Sequence, residues 1–127
     1  MAIVAIDFEA SCLPRHGKSF PIEVGIADMH GRSRGWLIKP HGHWQDWDWA
    51  EEAQTLHGIT HTELYQKGLC VETVARELRQ ALADHRVIAD SHIDAYWLET
   101  LTRAAEMPTF AQIDHISRLF DEIGINE

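Results

Sequence analysis

The sequence predicts one α/β layered domain with a mixed sheet, and three observations predict it. An apolar run, β-branched at three of its four positions, opens the chain at Ile3-Val-Ala-Ile6. Two further strand-like runs are joined by a short glycine-containing turn, the pattern of an antiparallel hairpin. Beyond residue 50, helical periodicities alternate with at least one more strand.

The first strand runs from Ile3 into Asp7-Phe-Glu-Ala-Ser11. Cys12-Leu-Pro-Arg-His-Gly-Lys-Ser-Phe20 follows, a loop by its proline, glycine and polar content. Pro21-Ile-Glu-Val-Gly-Ile-Ala27 reads as the second strand and Gly35-Trp-Leu-Ile-Lys39 as the third, with Asp28-Met-His-Gly31 turning between them. In Pro40-His-Gly-His-Trp-Gln-Asp-Trp-Asp-Trp49, His41 and His43 have His-x-His spacing, which in a polar loop is usually no metal site. Trp44, Trp47 and Trp49 are read first as lids over a sheet edge, and second as stacking faces for bases.

Asp48-x-x-Glu51 and Thr60-x-x-Glu63 both have capping-box spacing and predict helix starts. Val71, Val74, Ala75, Leu78 and Leu82 predict an amphipathic helix over about 71–83. Arg86-Val-Ile-Ala-Asp90 returns to strand character. A helix over 94–106 follows, stopped by Pro108, and Ile113, Ile116, Leu119, Phe120 and Ile123 predict a last helix closed by Gly124. No repeat, low-complexity segment or linker interrupts residues 1–127, which read as a single domain.

Composition narrows the function. No apolar run approaches the length of a membrane span, and the chain enters a strand at once rather than a signal segment. Cys12 and Cys70 lack metal-ligand spacing and read as free thiols of a reducing, cytoplasmic protein. A formal net charge of −9 argues against holding nucleic acid by bulk electrostatics. The charge is uneven: residues 1–40 carry five basic and four acidic side chains, the rest six basic and sixteen acidic. Arg15, His16 and Lys18 thus sit in sequence beside Asp7 and Glu9, where phosphate contact and plain solvation explain them equally.

In an extended chain Asp7 and Glu9 project from one face, and two carboxylates so close repel unless a cation separates them. Oxygen-only ligands suit Mg²⁺ or Mn²⁺. An isolated Asp-x-Glu is common, so the argument needs a second group. Asp94, after a strand end and at the start of a helix, is the candidate; alone it reads more readily as a helix-start residue.

Taken together, these motifs resemble the DEDD superfamily of 3′–5′ exonucleases, which share the ribonuclease H-like fold. Ile6-Asp-Phe-Glu-Ala-Ser11 is similar to the first motif, with Ile22-Glu-Val-Gly-Ile-Ala27 after it. Leu56-His-Gly-Ile-Thr60 resembles a His-Gly-Ile element of many members, and Asp94 in Ile93-Asp-Ala-Tyr-Trp-Leu98 stands at the second-motif aspartate. The resemblance implies a three-layer domain with a mixed sheet flanked by helices. It implies two Mg²⁺ or Mn²⁺ ions held by Asp7, Glu9 and Asp94, the catalytic residues, and hydrolysis of single-stranded DNA or RNA from the 3′ end to nucleoside 5′-monophosphates. Ser11, Arg15 and Lys18 would meet the substrate. No membrane partner is expected, and nothing in the sequence indicates an oligomer.

One element of the family's pattern has no match. Its third motif supplies a fourth acid and, in the His-containing branch to which the overall pattern points, a general base five residues before it. His115 is followed five residues later by Phe120, with Asp121 one step too far. The His-Arg-x-x-x-Asp pattern at His85–Asp90 precedes the second motif on a predicted strand and reads as coincidence. The C-terminal part of the fold is therefore expected to lie outside this chain. The alternatives to an active exonuclease are a catalytically incomplete nucleic-acid- or nucleotide-binding module of the same fold, and a dimer in which another copy supplies the missing groups.

Overall fold

The computed structural model describes residues 2–124. Five strands, β1 (Ala2–Ala10), β2 (Pro21–Asp28), β3 (Ser33–Leu37), β4 (His85–Ala89) and β5 (Ile113–His115), form one sheet in the order β3-β2-β1-β4-β5. Strands β1, β2 and β3 pair antiparallel, whereas β4 runs parallel to both β1 and β5, so the sheet is mixed as expected. Five helices accompany it: α1 (Glu51–His57), α2 (His61–Lys67), α3 (Val71–Leu82), α4 (Ile93–Ala104) and α5 (Ile116–Glu122).

Strand alternation divides the sheet into two unlike faces. Val4, Ile6, Phe8 and Ala10 of β1 point into the core with Ile22 and Val24 of β2 and Val87 and Ala89 of β4. The apolar stripe of α3 (Val71, Val74, Ala75, Leu78, Leu82) and Trp97, Leu98 and Leu101 of α4 cover this face. The other face carries Ala5 and Asp7 beside Ala27 and Gly25, then Ser33 and Gly35, and it is open over β1–β3. At its β4 side, α5 stands at the margin: Arg86 bonds Asp114 and Glu122, and Ile116 lines the same hollow as Ala5 and Asp7.

Two local expectations change. Ile113 belongs to β5 and not to the last helix, because pairing of 113–115 with Val87–Ala89 outweighs the helical spacing of Ile113 and Ile116. Asp48 does not cap α1; its Oδ2 accepts from the Lys18 backbone N–H, and Ala50 is the residue before the helix. Thr60 does cap α2, its Oγ1 accepting from the Glu63 N–H. The tryptophan segment is a lid: Trp44 is buried and stacks on Phe20 at 5.5 Å, while Trp47 and Trp49 pack partly buried on the core. His41 and His43 pack on one another, and the Nδ1 of His41 accepts from the backbone N–H of His43. Among the described residues, no helix is long and apolar enough to cross a membrane.

Candidate metal centre

Strands β1 and β4 pair in register up to Ala5 opposite Ile88, and two residues further along each comes an aspartate, Asp7 and Asp90. Beyond that point β4 turns away into α4, and the side chain of Asp94 fills the place the ladder leaves. Its Oδ1 accepts from the Phe8 N–H at 2.9 Å, so Asp94 ties the first turn of α4 to β1 rather than capping its own helix. Carboxylate oxygens of Asp7, Asp90 and Asp94 then all lie within 4.8 Å of one another.

This is a costly arrangement without a cation. Asp94 is 1% exposed, and burial, helped by the charges of Asp7, Asp90 and Glu9 and opposed by the Phe8 N–H, pushes its carboxyl up to about 6. Burial and the neighbouring Asp90 raise the Asp7 carboxyl as well. The Oδ2 of Asp94 is buried with no hydrogen-bond partner, a state that buried polar atoms rarely keep. Three carboxylates, one oxygen orphaned, fit a hard divalent cation such as Mg²⁺ or Mn²⁺.

Glu9 is not one of the three. It lies on the same face one step along β1, opposite Glu23, and its carboxyl is raised by burial, by Asp7 and by Glu23. The register slips between Glu9 and Ala10, where Ile22 of β2 is left without a partner. Ser11 beyond it is enclosed; its Oγ accepts from the Phe20 N–H at 3.0 Å, so its side chain has a structural partner and no open face for a substrate. Arg15 and Lys18 are exposed, with Arg15 sharing a shallow hollow with Ile93, the neighbour of Asp94.

On its other side Glu9 lines a cleft of about 680 Å³ with Leu13, Leu56, His57 and Trp97. Leu56 is 86% exposed at this site. The Nδ1 of His57 accepts from the Ile59 N–H, its Nε2 is buried and unpartnered, and burial lowers its pKa. Asp90 and His57 are the residues here that sequence reasoning had not placed in a site. Asp90 carried a signal, since Val87-Ile-Ala-Asp90 repeats the form of Val4-Ala-Ile-Asp7 and parallel strands bring such ends together.

No protein-family model matches the chain, and no curated protein matches it. Solved structures of exonuclease I do match. A product-bound exonuclease I superposes with a TM-score of 0.72 at 13% identity, covering 94% of this chain and 30% of its own. The metal-free Escherichia coli enzyme complexed with single-stranded DNA gives 0.73 at 13%, covering 94% and 29%. A moderately thermophilic exonuclease I from Methylocaldum szegediense gives 0.62 at 17%, again covering 94% and 29%. The chain thus has the ribonuclease H-like fold of exonuclease I and spans 29–30% of the length of these three proteins.

Proposed function

We propose that this chain is a metal-binding nuclease unit that removes nucleoside 5′-monophosphates from the 3′ end of single-stranded nucleic acid. The observation that carries the reading is the Asp7, Asp90 and Asp94 trio with its unpartnered buried oxygen, joined through Glu9 to an apolar cleft. The likeness to an exonuclease I seen with single-stranded DNA supplies the substrate class by analogy of fold.

In this reading Asp7, Asp90 and Asp94 hold the divalent cation, and Glu9 and Glu23 flank it as further acids when a second ion binds. A cation there supplies charge neutralisation at the scissile phosphodiester and eases attack by water. The cleft takes the terminal nucleoside, its volume within the ordinary range for small-ligand sites, with Leu13, Leu56 and Trp97 as apolar walls. Arg15 and Lys18 meet the phosphates of the preceding nucleotides. Ser11 has only an indirect part, holding the loop after β1 through Phe20.

A second reading, a binding module without turnover, draws support from Asp114, which is held by Arg86 and Arg118 and is not one of the clustered carboxylates. A gel assay decides. The protein and Asp7→Ala are incubated with a 5′-labelled single-stranded oligonucleotide and Mn²⁺, Mg²⁺ or EDTA. A metal-dependent ladder shortening from the 3′ end, absent in the variant, supports the exonuclease. An intact oligonucleotide beside a protein that binds both metal and strand supports the module.

A further inference from the structure

We propose that His115 is a positioning residue for the carboxylate trio, holding Asp90 in place through its backbone carbonyl. The inference rests on the metal-binding reading above and adds a residue that touches neither metal nor substrate. It begins from the hydrogen-bonding capacity of one imidazole. The Ser117 backbone N–H donates to His115 Nδ1 at 3.1 Å, and because a peptide N–H only donates, Nδ1 accepts. In the neutral ring the proton is then on Nε2. That nitrogen lies 3.1 Å from the Asp90 carbonyl oxygen, which only accepts. The Ser117 hydroxyl, 2.8 Å from the same Nδ1, can donate to it as well, so the cap favours the tautomer that donates to Asp90.

The same ring stacks on His92, with centroids 4.3 Å apart and planes at 16°. His92 is the residue immediately before α4, whose first turn carries Asp94. His115 therefore meets the β4–α4 connection twice, once at the backbone of Asp90 and once two residues before Asp94. Apart from that, this connection has the Ser91 Oγ bond to the Ile93 N–H and the Asp94 bond to Phe8. Ladder pairing holds the chain as far as Ala89; beyond it neither of those bonds reaches Asp90, and the His115 side chain is the group that does.

The test uses Mn²⁺ as probe and calorimetric titration at a temperature where every variant is folded by circular dichroism. His115→Ala is expected to weaken Mn²⁺ binding about tenfold, the usual scale for groups that orient a ligand. In an Asp90→Asn background the same change is expected to add less than about twofold, because the effect passes through Asp90. His115→Asn separates the two duties, since asparagine is a good helix N-cap but lacks the Nε2 donor. It should recover melting temperature while leaving Mn²⁺ binding weakened. Wild-type affinity in His115→Asn, or an undiminished loss from His115→Ala in the Asp90→Asn background, overturns the proposal and leaves the metal site standing. A wild-type protein that binds no Mn²⁺ overturns both.

Discussion

Replacing Asp94 by asparagine isolates the electrostatic cost of the trio, and its size follows from the structure. The carboxyl is pushed from an ordinary 3.8 up to about 6 by burial and its acidic neighbours. At about 1.4 kcal/mol per unit, keeping it charged costs the metal-free fold at most about 3 kcal/mol. Asparagine keeps the Oδ1 acceptor for the Phe8 N–H and replaces the orphaned Oδ2 by an amide nitrogen near Asp7 and Asp90. Relaxation and residual denatured-state structure reduce the ceiling, leaving an expected gain of about 1–2 kcal/mol. For a domain of 127 residues that is a rise in melting temperature of roughly 4–8 °C. The sign with pH is fixed: the folded protein holds this proton more tightly than the unfolded chain. Wild-type stability therefore falls as pH rises from about 4 to about 6, and the advantage of Asp94→Asn is full at pH 7 and vanishes near pH 4. Saturating Mn²⁺ should reverse the order, because only the wild type gains binding free energy, about 3 kcal/mol at a hundredfold excess over Kd. Thermal melts at pH 4, 5 and 7, with EDTA or Mn²⁺, read all of this. A variant that melts below wild type by the same margin at every pH, and gains as much from Mn²⁺, would refute the reasoning and make Asp94 a structural residue.

Three shorter expectations follow from neighbouring features. Mn²⁺ affinity of the wild type should fall about tenfold between pH 7 and pH 5, as protons compete for Asp94, and titration calorimetry at the two values checks it. Leu56→Glu, at a side chain 86% exposed beside the cleft, should change stability by less than about 0.5 kcal/mol while weakening single-stranded DNA binding measured by anisotropy; unchanged binding would remove the cleft from the substrate path. Gly68→Ala should cost more than about 2 kcal/mol in chemical denaturation, because a Cβ there comes within 3.0 Å of the backbone of both Leu64 and Lys39.

The parts of the fold legible in the sequence are those whose cause is local. The stripe of α3, the hairpin of β2 and β3 and the cap at Thr60 each follow from residues a few positions apart. Asp7 was legible because it ends an apolar run. Asp90 ends another in the same way, but its meaning depends on β4 lying parallel to β1 across some 80 residues of intervening chain. The short strand β5 was hidden for the same reason, since Ile113, which shares a helical spacing with Ile116, was recruited with its two successors by β4. Asp48 had the right spacing for a cap and was taken instead by the Lys18 N–H, a partner thirty positions away. The enclosure of Ser11 goes with its bond from the Phe20 N–H across the loop, which no spacing in the sequence announces.

The disposition of the cations bears on why the trio should be read as a site rather than as part of a structural ion network. Among the described residues the ion pairs engage Asp28, Glu77, Glu99, Asp114 and Glu122, and none engages Asp7, Asp90 or Asp94. Arg86 makes the contrast sharp. It lies on β4, which leads directly into Asp90, yet its guanidinium turns to Asp114 and Glu122. A fold selected for stability alone would neutralise its most buried carboxylate first, since an unpaired buried charge is the costlier fault. Here the partly buried Asp28 and Asp114 are paired, whereas the buried Asp94 has no cationic partner and the exposed Asp7 and Asp90 crowd its orphaned oxygen. An arrangement that costs folding free energy and leaves a gap for positive charge is the pattern expected where the charge arrives from outside the chain.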